Sequence, residues 1–170
     1  MDEAVPLLLR AVGVFYLAGG AMVGRAVRFG AATDRMAEAL GLSTSRAERI
    51  RTWWLAAGAV TTAASGLALV MLAEAAAWLF AFATLQQALY LFVVSPRWLD
   101  PDDPPEAEGR RQSTRAFVMF AVATVLVAAA AHDGHLADWR ALPGWLAGFC
   151  AFGFLAWSVH LVWSVARRGA

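Results

Sequence analysis

The apolar residues of this 170-residue chain are gathered into long runs that short polar segments separate. A hydrocarbon core about 30 Å thick needs roughly 20 apolar residues at about 1.5 Å of helical rise each. The stretch from Trp53 to Ser95 is roughly twice that length, and its only charge is Glu74. It must therefore turn back near Glu74. The pattern predicts an all-α transmembrane bundle of about five spans, near residues 5–26, 53–73, 76–95, 113–131 and 144–166.

Composition agrees with a surface that faces a lipid bilayer. Hydrophobic residues make up 60% of the chain and charged residues 16%, against about 45–50% and about 25% in soluble domains. A net charge of +1 gives no electrostatic case for nucleic acid as a partner. The acidic start Met-Asp-Glu is unlike the basic start of a signal peptide, so we expect the first run to be a retained span.

The arginines predict an orientation. The chain has no lysine, and 12 of its 14 arginines fall on one side if it crosses five times, leaving Arg10 and Arg140 opposite. Positive charges near span ends are held in the cytoplasm. We therefore expect an N-terminus outside and a C-terminus in the cytoplasm. The use of arginine alone, with much alanine, is typical of a GC-rich bacterial genome, so we expect the bacterial inner membrane.

Three local patterns predict features of the connecting segments. Thr33–Leu40 is expected to form a brief interfacial helix that Gly41 stops. Ser45 and Glu48 have the spacing of a capping box at the start of a helix. The proline-rich stretch 96–109 is expected to be a non-helical connector.

His160 and Trp157 lie within the fifth predicted span, where ionisable residues are costly and often functional. A neutral imidazole could bind haem iron or the magnesium of bacteriochlorophyll. Alternatively, His160 hydrogen-bonds a neighbouring helix or reaches the interface. The segment Ala156-Trp157-Ser158-Val159-His160 resembles the pigment-binding helix of bacterial light-harvesting β polypeptides. It departs from them in its arginine-rich tail and in its cytoplasmic C-terminus.

Gln86 and Gln87 fall at the middle of the third predicted span, and an amide in hydrocarbon needs a partner. Either the amides hydrogen-bond between helices, worth about 0.6–2 kcal/mol, or they hold a carbonyl of a quinone or pigment. His132 and His135 form a second candidate, a metal site in the outer loop. Polar residues at a water interface explain the same pair.

The first span, from Leu7 to Gly20 with Arg10 and Gly13 at its centre, resembles the opening helix of the DoxX-like small membrane proteins. Thr61–Leu69 is similar to the second helix of that family. The resemblance covers about the first 95 residues. It implies a four-span bundle, in some members associated with quinone-linked oxidoreductase complexes. This chain adds a fifth span and lacks the lysine that usually follows the first helix.

We find no catalytic constellation and no soluble domain in the sequence. These features favour a non-catalytic accessory or assembly subunit of a larger photosynthetic or respiratory complex, packed against other membrane subunits. The alternative is a stand-alone DoxX-like redox or quinone-handling protein. A small transporter is the least favoured function, because no acidic residue lies within a span.

Overall fold

The computed structural model describes residues 4–42, 45–100, 107–138 and 143–167. In these ranges the chain is all α-helical, and five helices are long and apolar enough to cross a membrane. The chain is therefore a multi-pass membrane protein. The helices are α1 (Ala4–Ala39), α2 (Arg46–Val70), α3 (Ala75–Leu89), α4 (Ala107–His132) and α5 (Gly144–Ala166), and α3 continues as a π-helical segment (Tyr90–Leu99).

Helix α1 is longer than the sequence predicts. It runs for 36 residues, about 54 Å, so the separate helix predicted over Thr33–Leu40 is wrong: residues 33–39 are the last turns of α1, and Leu40 follows its end. The prediction that Gly41 stops the helix is confirmed. Gly41 has a φ of +81°, and the N–H of Leu42 donates to the carbonyl of Ala37 at 3.0 Å, which satisfies an end carbonyl of the helix.

The predicted capping box at the start of α2 is confirmed. The backbone N–H of Glu48 donates to the Ser45 hydroxyl at 3.1 Å, and the backbone N–H of Ser45 donates to the Glu48 carboxylate at 2.9 Å. Both groups would otherwise lack partners at a helix N-terminus, so this contact fixes where α2 begins.

The predicted turn at Glu74 is also confirmed. Helix α2 ends at Val70, α3 begins at Ala75, and Leu72 between them has a φ of 55°. The N–H of Glu74 donates to the carbonyl of Ala137 at 3.0 Å, and the N–H of Ala137 donates to the carbonyl of Leu72 at 2.7 Å. These bonds tie the α2–α3 turn to the segment that follows α4.

The non-helical connector predicted over 96–109 is wrong at both ends. The π-helical segment carries the chain through Pro96 to Leu99, and α4 already begins at Ala107; residues 101–106 lie outside the described residues. A proline removes one backbone donor and its ring crowds the preceding turn of an α-helix. The wider π turn accommodates Pro96 without ending the helix.

Helices α1 and α2 pack closely because small residues face each other. A Cβ atom on Gly66 would lie 2.6 Å from the Gly13 carbonyl, and one on Gly20 would lie 2.6 Å from the backbone N of Ala63. Their backbones therefore touch, as is typical of small-residue contacts in membranes. A Cβ atom on Gly24 would instead meet the Trp157 ring of α5, and one on Gly144 or Gly148 would have no neighbour within 4 Å.

The apolar core has two main parts. The first contains side chains from all four helices α1, α2, α3 and α4 and includes Leu69, Phe80, Phe120 and Val127. The second joins α5 to α1 and α2 and includes Val27, Ala56, Ala59, Leu161 and Val165. Helix α5 thus lies beside a four-helix unit rather than within it.

The two ends of the bundle differ in charge. The end holding residues 28–42, 45–51, 95–100, 107–115 and 163–167 is called the arginine-rich end below, and the end holding residues 70–75 and 132–138 is called the opposite end.

Candidate functional site

A cavity of about 300 Å³ lies between α1, α2, α3 and α4, on the side of the bundle toward the arginine-rich end. It is called the amide cavity below. Glycine and small aliphatic side chains form much of its wall, and polar or aromatic groups enter it from three helices: Trp54, Thr62, Gln86, Gln87, Tyr90 and Ser113. An apolar pocket with a few polar groups is typical of a site for a small ligand.

The two glutamines predicted as candidates both line this cavity, but they have different surroundings. Gln86 accepts a hydrogen bond from the Thr61 hydroxyl at 2.8 Å, which links α3 to α2. No described residue hydrogen-bonds the side-chain amide of Gln87, which is partly buried. Gln86 therefore has the interhelical bond that the sequence offered as one alternative, whereas Gln87 lines the cavity and its amide has no hydrogen bond to a described residue.

An aromatic cluster adjoins the amide cavity on the side toward the opposite end. The Tyr16 ring meets Phe120 edge-on at 4.9 Å and Phe80 at 5.3 Å between centroids. Edge-to-face contacts of this kind stabilise packing beyond burial alone. Tyr16 also donates to the carbonyl of Met119 at 3.5 Å. Tyr16 lies one turn from Gly20, so the cluster holds α1 and α4 together just beyond the cavity.

The wall of the amide cavity includes exposed residues on α1 and on α4. Val23 on α1 and Ala116 on α4 both line the cavity, and both are exposed. The amide cavity therefore opens sideways between α1 and α4, toward the space that lipid occupies around a membrane protein.

Two further side-chain hydrogen bonds lie within the bundle, one between helices and one within α2. The hydroxyls of Thr84 and Thr124 lie 2.6 Å apart and join α3 to α4, and the buried Ser65 hydroxyl donates to the Thr61 carbonyl at 2.8 Å. The sequence analysis missed Thr61, Thr62, Thr84 and Thr124. Thr84 lies in the same span as the glutamines and Thr61 lies in the span before it. However, threonine also bonds the carbonyl one turn back within its own helix, so its residue type carried no signal.

A polar contact lies at the end of the π-helical segment, next to the start of α4. Asp100 accepts a hydrogen bond from the Ser95 hydroxyl at 2.8 Å and pairs with the Arg110 guanidinium. Burial alone would raise the pKa of Asp100, but the hydrogen bonds from Ser95 and Arg110 and the charges of Arg110 and Arg51 outweigh it and hold that pKa below its ordinary value. The ionised carboxylate therefore joins the segment after α3 to the start of α4.

The structure places His160 and Trp157 away from the amide cavity, on the seam between α1 and α5. The Trp157 ring occupies the space above Gly24, with Cζ2 2.7 Å from where a Cβ would be. His160 is exposed and lies beside Trp163, with 6.3 Å between ring centroids. Trp157 thus packs α5 against α1 at Gly24.

His132 and His135 lie at the opposite end, where α4 stops. Both side chains are exposed, and Gly134 between them has a φ of +75°. The N–H of His135 donates to the Ala130 carbonyl at 2.9 Å, which closes the helix end. Within the described ranges no three His, Cys, Asp or Glu side chains come together, so this pair has no third ligand there.

Comparison with known protein families, with curated proteins and with solved structures yields no match to this chain. The resemblances to DoxX-like proteins and to light-harvesting helices therefore stay predictions from short stretches of sequence.

Proposed function

We propose that this chain is an integral membrane protein that holds a small lipophilic molecule with carbonyl groups, of the quinone class, in the amide cavity. The observation that carries the proposal is the side-chain amide of Gln87, which faces a cavity of about 300 Å³ with no described protein partner. An amide N–H in an apolar setting gains most from a carbonyl acceptor, because leaving it unpaired there is costly.

The surroundings of Gln87 support a flat ring as the ligand. Trp54 and Tyr90 line the same cavity, with 6.0 Å between their ring centroids, and aromatic faces favour stacked or edge-on contact with another ring. The opening between α1 and α4 would let an isoprenoid tail remain in lipid. Among the lining residues that the structure describes none is charged, which favours a neutral ligand over an ion.

The test is quinone binding by the purified full chain in nanodiscs, with a short-chain benzoquinone as the probe and quenching of tryptophan fluorescence as the readout. Gln87→Leu removes the amide with little change in size. We expect it to weaken binding about tenfold, since one hydrogen bond contributes about 1–1.5 kcal/mol.

The matched control is Gln112→Leu, which makes the same chemical change at an exposed position on α4 that does not line the cavity. It should bind the quinone as the parent chain does. Equal affinities for all three proteins, or no saturable binding to any of them, would rule the proposal out.

A second function, the non-catalytic accessory subunit of a larger bacterial inner-membrane complex, is compatible with the first and is supported by α5. This helix contacts α1 and α2 on one side, and its other side carries Trp145, Phe149 and Phe152, which are 77%, 76% and 74% exposed. Such a face suits packing against helices of partner subunits as well as lipid.

Extraction in mild detergent tests the accessory-subunit proposal. We expect partner chains to co-purify in fixed ratio with the full chain, and substitution of Phe149 and Phe152 by alanine to release them. Recovery of the parent chain alone, without partners, would contradict it.

A further inference from the structure

A second recess, at the arginine-rich end, lies between α1 and α5 and has a volume of about 400 Å³. We call it the α1–α5 groove. Two helix faces form it. Arg25, Arg28 and Arg35 line it from α1, and His160, Trp163 and Arg167 line it from α5. Successive members are three and seven residues apart on α1 and three and four residues apart on α5, so on each helix these side chains project from a single face.

The groove is strongly basic. Four guanidinium groups line it, and none of its described lining residues is acidic. Arginine stays protonated at any physiological pH, so the four charges cannot be relieved by losing protons. Like charges held together at a membrane surface repel one another unless an anion lies between them. The groove therefore has the charge of an anion site.

One of the four arginines is already held in position. The guanidinium carbon of Arg167 lies 3.2 Å from the centre of the Trp163 ring, an arrangement in which a cation is attracted to the aromatic face. Arginine presents a planar set of N–H donors that matches the oxygens of a phosphate. An anion entering the groove thus meets at least one donor group whose orientation is set by the protein.

The groove also continues into an apolar seam. One turn further toward the middle of the span, the same faces carry Ala21 and Met22 on α1 and Ala156 on α5, and all three are exposed. The alanines at two of these positions leave room for a hydrocarbon chain, and Met22 offers an apolar side chain beside it. Trp163 at the groove is 49% exposed, as expected for an indole at headgroup level. A free anion has no hydrocarbon chain that could pack along this seam.

From these observations we propose that the α1–α5 groove binds the phosphate of an anionic phospholipid, with an acyl chain lying along the seam. Basic pockets between transmembrane helices are suited to such headgroups. The inference is independent of the amide cavity, since none of the six residues that form the two groove faces lines that cavity.

The experiment is native mass spectrometry of the full chain in detergent, titrated separately with phosphatidylglycerol, with phosphatidylcholine and with inorganic phosphate. We expect phosphatidylglycerol to bind at least tenfold more tightly than phosphatidylcholine. The double variant Arg25→Gln with Arg28→Gln should lose most of that preference, about tenfold or more, as each arginine near an anionic headgroup contributes to attraction.

The matched control is Arg111→Gln with Arg115→Gln, which removes the same charge from exposed positions on α4 at the same end of the bundle. This pair should keep the preference. An equal loss in both double variants would show general surface attraction and overturn the proposal, as would the absence of any preference in the parent chain. If inorganic phosphate binds as tightly as phosphatidylglycerol and displaces it, the site takes free phosphate and the lipid assignment is wrong. Thermal unfolding of each variant verifies that the fold is kept.

Discussion

At the scale of single residues, a few glycines decide how closely α1 and α2 approach. The clearest is Gly66, where an added Cβ would lie 2.3 Å from the backbone N of Leu17 and 2.6 Å from the Gly13 carbonyl. Both are backbone atoms, so no side chain can rotate away to make room. The whole helix would have to move instead.

We therefore expect Gly66→Ala to destabilise the protein by about 1–3 kcal/mol, the usual cost of overpacking. Gly58→Ala is the control, because Gly58 has no neighbour within 4 Å and alanine favours a helix more than glycine does. Unfolding in mixed micelles with increasing denaturing detergent measures both. If the two variants unfold alike, backbone contact between α1 and α2 does not stabilise this bundle.

At the scale of elements, one carboxylate, that of Asp100, links the π-helical segment to α4. Asp100 accepts bonds from Ser95 and Arg110, and its pKa lies below the ordinary value. Since the folded-state pKa is below the unfolded value of about 3.9, this stabilisation is present above that pH. It is lost as the pH falls through the folded-state pKa.

Asp100→Asn removes the charge but keeps the shape. We expect it to lower stability at pH 7 by about 0.5–1 kcal/mol, because the pair with Arg110 is partly open to water. The variant should also lose part of the fall in stability below about pH 4 that the parent shows. The check is unfolding at pH 7 and at pH 3. A parent chain and variant with the same pH dependence would contradict the role of this carboxylate.

At the scale of the whole molecule, α5 lies beside the unit of α1–α4, and five crossings would place the two ends of the chain on opposite sides of a membrane. The orientation predicted from the arginines can be tested by labelling. With Cys150 replaced by serine, a cysteine at His135 should react with an impermeant maleimide in intact cells, whereas one at Arg111 should react only after lysis. Labelling of both positions from the same side would exclude five crossings.

Several predictions from the sequence are confirmed because they depend on neighbours in the chain. The capping box at Ser45 and the stop at Gly41 involve groups only a few residues apart. The turn before Glu74 also has local bonds, from the N–H of Leu72 to the Leu69 carbonyl and from the N–H of Ala73 to the Ala68 carbonyl, beside those to Ala137. The bounds of α5 match the prediction, because its apolar run begins after a proline and ends before two arginines. Each of these features is local.

The two incorrect predictions of helix ends also relied on local sequence patterns. A polar run after residue 26 indicated the end of the first span, yet α1 continues to Ala39, since a helix does not have to end where hydrocarbon does. Pro96 predicted a break, yet a wider π turn absorbs it. Polarity and proline mark a change in environment or geometry, and at these two places neither ends the helix.

By itself, then, the sequence determined the five apolar helices and most of their ends, because a backbone surrounded by hydrocarbon must satisfy its hydrogen bonds within its own helix. Only the tertiary structure decided which face of each helix packs against a neighbouring helix. It brought Gln87 to a cavity, Gln86 to Thr61, Trp157 to Gly24 and Arg167 to the arginines of α1. Those pairings join residues far apart in the chain, and packing between helices depends on shape rather than on any repeating pattern of residue types.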